Sequence, residues 1–120
     1  MNSGELATTE TGSYVGTGVF GEDNPTTVYW HLKNTPTICF IFAGVTPSNI
    51  TGVGIIDIVN KTFMLPWLSP NNPPWFYGWN GHMPNSNLIV GENYISYWDS
   101  VAEYYQLNYN GHIYPYMFVL

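Results

Sequence analysis

Short runs rich in Thr, Val, Ile and aromatic residues alternate along this chain with clusters of Gly, Pro, Asn and Asp. That is the pattern of strands separated by turns. The only helix-like stretch, Ser100 to Tyr105, is too short to be stable alone. A first strand is expected over Gly12 to Phe20, where Gly12, Gly16 and Gly18 signal a bulge or a close backbone approach. Gly21 to Pro25 reads as a turn, Thr26 to Leu32 as a second strand, and Lys33 to Pro36 as another turn. Thr37 to Ala43 is apolar on both faces, which predicts a central strand covered on two sides. After a loop over Gly44 to Asn49, Ile50 to Val59 is expected to be a strand. Thr62 to Leu65 then returns through a turn at Asn60-Lys61, with Asn60 tolerating a positive φ.

The middle is different. Residues 66–86 contain five prolines, at 66, 70, 73, 74 and 84, and predict a loop excursion with one short strand near Trp75 to Trp79. Beyond it, strands are expected over Asn87 to Val90, Tyr94 to Trp98, Tyr104 to Tyr109 and His112 to Leu120. Asn110-Gly111 carries a type I′ turn signal, and Pro115 points to an edge position or a bulge. The count is eight or nine short strands in one all-β domain. An antiparallel β-sandwich, jelly-roll-like, fits them better than an open sheet. Residues 11–120 form that domain, and residues 1–10 read as a flexible N-terminal segment or linker.

Composition sharpens the picture. The chain has 120 residues, 18% aromatic and only 8% charged, with a formal net charge of -6. About 25% charged is usual. Arginine is absent, and the lysines are Lys33 and Lys61. A nucleic-acid binder needs several cationic phosphate contacts, so nucleic acid is excluded as a partner, and anionic membrane surfaces are disfavoured. No apolar run approaches the length of a membrane span, and no membrane insertion is expected. A surface this poor in charge predicts that part of it is covered by other copies of the chain. Cys39, the only cysteine, lies in the run ICFIFAG and reads as a small buried hydrophobe.

Catalytic chemistry finds little support. His31, His82 and His112 lack metal-ligand spacing, so neither a metal nor a cofactor is expected. Glycosidases use two carboxylates about 5 to 9.5 Å apart, for which the candidates are Asp23, Asp57, Glu92, Asp99 and Glu103. Asp57, inside an apolar strand, is expected to face solvent or a loop amide. No nucleophile elbow occurs, and TGSYVGTG lacks the ending and the helix of a phosphate loop. The chain reads as a non-enzyme.

Binding chemistry is better supplied. Trp67, Trp75, Tyr77 and Trp79 cluster within 13 residues of the Pro/Asn-rich segment. Trp and Tyr rings can stack on the apolar face of a sugar while Asn72, Asn80 and Asn85 take its hydroxyls. The competing reading makes the same rings a satellite core that pins an irregular loop. The last strand carries a second signal. Tyr114, Tyr116, Phe118 and Leu120 share one face, and Ile113, Pro115, Met117 and Val119 share the other. An apolar terminus must dock in its own sandwich or against another subunit. Tyr114, Tyr116, Phe118 and Leu120 are the candidate oligomer interface.

Residues 11–28, TGSYVGTGVFGEDNPTTV, followed by the hydrophobic run Ile38 to Gly44, resemble the opening of small β-rich modules in tail fibres and minor tail proteins of bacteriophages and prophages. The C-terminal half of the likeness runs from a strand like Val90 to Trp98, through Gln106 to Gly111, to an aromatic final strand like Ile113 to Val119. The resemblance covers about half the chain, at its two ends. It implies an extracellular virion appendage, usually a homotrimer, that recognises a bacterial surface glycan or protein. A purely structural trimerisation or attachment module and a cellular carbohydrate-binding module are the alternatives.

Overall fold

The structure, a computed structural model, describes residues 7–46, 49–68, 84–100, 108 and 110–120. The side chains of residues 43–46, 49–52 and 65–68 lie outside that description. Among the described residues two antiparallel sheets contain eight strands: β1 (Thr9–Val15), β2 (Thr26–Tyr29), β3 (Ile38–Thr46), β4 (Asn49–Asp57), β5 (Thr62–Leu68), β6 (Leu88–Val90), β7 (Tyr94–Tyr97) and β8 (Ile113–Val119). The strand order is β1-β8-β3-β4-β5 in one sheet and β2-β7-β6 in the other. All pairings within them are antiparallel. The all-β reading holds, and two packed sheets fit a β-sandwich.

Period-two alternation divides each strand between core and surface. From the larger sheet, Cys39, Ile41, Ile56, Tyr114 and Phe118 point inward and are fully buried. From the smaller sheet, Val28, Leu88, Ile95 and Tyr97 meet them, with Trp30 just past β2. Aromatic edges set the layer between the sheets. Trp30 meets Phe118 edge-on at 5.4 Å, and Phe63 meets Tyr97 at 6.1 Å. Tyr14 stacks on Tyr114 at 5.2 Å, and its hydroxyl shares a 2.6 Å hydrogen bond with that of Tyr97 across the sandwich. Burial pushes both of these hydroxyls well above the usual tyrosine range. Burial likewise pushes the Cys39 thiol up, so it stays an inert, protonated core group.

β3 is an interior strand, with β8 and β4 on either side, but only one of its faces is core: Cys39 and Ile41 are fully buried, whereas Ile38, Phe40 and Phe42 on the outer face are half-buried. Five other expectations need correction. β8 is an interior strand and not an edge. Its pairing with β3 stops at Tyr116, so Pro115 lies where β8 has a partner only on the β1 side, opposite Ser13. The N-terminal boundary falls earlier, because Thr9 and Glu10 belong to β1 and the Leu120 amide donates to the Thr8 carbonyl at 2.9 Å. β1 ends at Val15, before Gly18 turns at φ 75°. At Asn110-Gly111 only Gly111 has positive φ (79°), so the turn is not type I′, which needs both residues there. Between β4 and β5 the positive φ falls on Lys61 (56°), not Asn60. Asn60 instead binds Asp57, donating its backbone N–H to Oδ1 at 3.0 Å and its amide to Oδ2 at 2.8 Å. These bonds hold the Asp57 carboxyl below the usual carboxylate range. The expected strand Tyr104 to Tyr109 lies almost wholly outside the described residues.

Candidate functional surfaces

The aromatic segment contributes little to the described surface. Trp75, Tyr77, Trp79, Asn72 and Asn80 lie outside the described residues, and Trp67 is described only through its backbone, paired with Val53 in β5. Asn85 is exposed, in a 3-10 turn, Asn85–Asn87. Its Oδ1 accepts the Phe63 N–H at 2.8 Å, which anchors the turn to the start of β5. Two residues on, Asn87 is buried and donates its amide to the Trp98 carbonyl at 2.9 Å and the Ser100 hydroxyl at 2.7 Å. Both asparagines therefore serve the fold through the hydrogen bonds they make.

β8 shows which of its faces is available. Tyr114 and Phe118 are fully buried within the chain itself, so the interface assigned to them is corrected: the sandwich core uses them. Tyr116 is half-buried and packs against that core, and Leu120 is exposed. The opposite set, Ile113, Pro115, Met117 and Val119, lies on the outer face of the larger sheet. Register then extends this face sideways. Met117 is flanked by Thr11 on β1 and Phe40 on β3; Phe40 pairs with Ile55, and Ile55 with Met64. Phe40 and Phe42 stack along the strand at 6.4 Å. Val119 pairs with Ile38, and Ile38 with Asp57. Asp57 is the only charged side chain among these outward residues of β1, β3, β4 and β8, and it stands at one corner. The sequence offered the outward set of β8, but alternation alone does not say which set is core.

A polar tie closes the sandwich beside β1. Glu10 accepts the His31 backbone N–H at 2.6 Å on Oε1 and contacts His31 Nδ1 at 3.0 Å through Oε2. A Cβ on Gly12 would overlap the hydroxyl and ring of Tyr116, so the missing side chain seats that ring. Loss of hydration, and next the Glu10 carboxylate, raise the Tyr116 hydroxyl above its ordinary range. It is a neutral donor at physiological pH.

A second constellation organises the loop between β1 and β2. Asn108 is buried; its Oδ1 accepts the Thr17 N–H at 2.9 Å and its amide donates to the Val19 carbonyl at 3.0 Å. Its own carbonyl accepts the Gly18 N–H at 2.8 Å. The loop so held presents Val19 and Phe20, both exposed. His112 packs edge-on against Tyr114 at 4.8 Å, and partial burial lowers its pKa. Among the described residues no group of three His, Cys, Asp or Glu could hold a metal ion, and no helix is long and apolar enough to cross a membrane. Comparison with known proteins gives no match: no family model, curated protein or solved structure aligns significantly with the chain.

Proposed function

We propose that this chain is a β-sandwich domain of a bacteriophage tail fibre or tail tip. It assembles with copies of itself on the virion's exterior and recognises a bacterial surface glycan or protein. The observation that supports assembly most directly is the outer face of the five-stranded sheet. It carries Ile38, Phe40, Ile55, Met117 and Val119 side by side in register with one carboxylate at a corner. Five strands at about 4.8 Å spacing and seven residues at about 3.4 Å rise span roughly 24 by 24 Å. In projection that is on the order of 600 Å², against roughly 800 Å² of accessible surface per partner in a standard interface. A second copy suits this face best. The chain carries a net charge of -6, and two copies repel least where they meet on a surface nearly free of charge.

The strand order supports a jelly-roll-like reading of the sandwich. β1 pairs with β8 in one sheet and β2 with β7 in the other. Such nesting is what a long two-stranded ribbon produces when it wraps across both layers. The likeness of both ends of the chain to phage modules supports the virion assignment and the trimeric state.

The test has two readouts. Light scattering should give a mass that is a multiple of 13.6 kDa, and the labelled protein should be retained by cells of some strain in a bacterial panel. A monomer at every concentration, with no retention on any cell or extracted surface polysaccharide, would overturn the proposal.

A further inference from the structure

Where the two sheets end on the same side, their edge strands β1 and β2 leave an opening. A cleft of about 320 Å³ lies there, lined by Ser13 and Tyr14 of β1, Thr27 and Tyr29 of β2, His31 and Tyr116. Among the described residues β1 and β2 belong to different sheets and are each last in line, so their backbone N–H and C=O groups add donors and acceptors to the rim.

Two of the rings are held in place before any ligand arrives. Tyr29 is 52% exposed, yet its ring rests on that of Tyr94 at 5.6 Å. Tyr94 in turn lies over Gly91, where a Cβ would overlap it, and its carbonyl accepts the Gly91 N–H at 2.8 Å. Tyr116 lies over Gly12 in the same way. At one end the Glu10 carboxylate bridges β1 to His31 through two contacts.

We infer that this cleft is a binding subsite for a neutral saccharide, stacked on Tyr29 and hydrogen-bonded by Tyr116, Ser13, Thr27 and the strand edges. The inference takes its ligand class from the reading of the domain as a recognition module, but it builds the contact from residues other than Trp67, Trp75, Tyr77 and Trp79. The chemistry selects the class. The lining has aromatic faces and hydroxyls but no lysine or arginine, and Glu10 stands beside it in a chain of net charge -6. The one basic group in the lining, the His31 imidazole, already faces the Glu10 carboxylate, so an anionic ligand has no free counter-charge in it. Ligand clefts run from about 300 to 1,000 Å³, so this one suits one or two sugar rings. An added peptide strand, which sheet edges can accept, would have to pass the Glu10–His31 bridge.

The experiment is saturation-transfer NMR on the full chain. Methyl glycosides of a neutral hexose, a 6-deoxyhexose and an N-acetylhexosamine are the probes. Glucuronate, inorganic phosphate and a peptide of sequence Thr9–Val15 are the controls. At least one neutral glycoside should bind. Tyr29→Ala should weaken it by about tenfold or more and Tyr29→Phe should retain it, with solution mass and melting unchanged in both. Trp75→Ala should leave this binding intact. Glycoside binding that survives Tyr29→Ala and disappears in Trp75→Ala would overturn the cleft but leave the recognition reading standing. Binding of the peptide or the anions in place of glycosides would also overturn it. A wild-type chain that binds neither glycosides nor bacterial cells would sink the recognition reading itself.

Discussion

Two neighbouring residues of β8 make opposite predictions. Phe118 points into the sandwich and is fully buried, with its ring edge-on to Trp30 at 5.4 Å and Tyr116 at 5.5 Å. Phe118→Ala removes a ring that close-packed neighbours cannot replace, at a cost of about 3–5 kcal/mol. A domain of this size has a total stability of roughly 6–18 kcal/mol. At about 4 °C per kcal/mol the midpoint should fall by roughly 12–20 °C. Met117 points the other way, between Thr11 and Phe40 on the outer face. Met117→Lys should change the stability of a lone chain by no more than about 0.5 kcal/mol, because the ammonium stays in water. In an assembly built on that face it buries an unpaired charge and drives the copies apart. The assay is thermal unfolding at several protein concentrations with mass measured in parallel. The wild type should melt higher as concentration rises. Met117→Lys should lose that dependence and fall to monomer mass, whereas Phe118→Ala should lower the midpoint at every concentration. A Phe118→Ala cost near 1 kcal/mol would refute its place in the core. An unchanged mass for Met117→Lys would refute the interface.

Two further outcomes are expected. Asn108→Ala removes the buried amide that binds the Thr17 N–H and the Val19 carbonyl, so urea unfolding should show a loss of about 1–3 kcal/mol and the Thr17 amide should lose its hydrogen-exchange protection. The fold should also weaken in alkali. Tyr14 and Tyr97 have raised pKa values in the folded chain, so above about pH 10 only the unfolded state sheds these protons. Stability should then fall by about 1.4 kcal/mol per pH unit for each tyrosine, seen as a declining urea midpoint with delayed tyrosinate absorbance. A midpoint that stays flat through that range would contradict the buried pair.

The sequence made some features legible and hid others for identifiable reasons. Ile38 to Phe42 is apolar on both faces, which marks β3 as an interior strand, although the smaller sheet covers only the Cys39 and Ile41 face. β8 is just as apolar on both faces, but Pro115 argued for an edge. A proline forbids pairing only where its own nitrogen would donate, and the β3 pairing stops one residue short of it. The inward set of β8 was also ambiguous. Tyr114 and Phe118 are core because Tyr14 and Trp30 meet them across the fold, and no local pattern records that. The cleft was invisible for the same reason: Glu10 and His31 are far apart in the chain, as are Tyr29 and Tyr116. A flexible segment over residues 1–10 also leaves Glu10 outside the domain, although its contacts with His31 border the cleft.

The placement of β8 between β1 and β3 also bears on how the sandwich comes apart. It is the spine that joins the first strand to the rest of the larger sheet. Without it β1 has no neighbour in that sheet, and Trp30 loses the ring edge of Phe118. Local opening that frees β8 therefore releases β1 with it, so the two strands unzip as one cooperative unit.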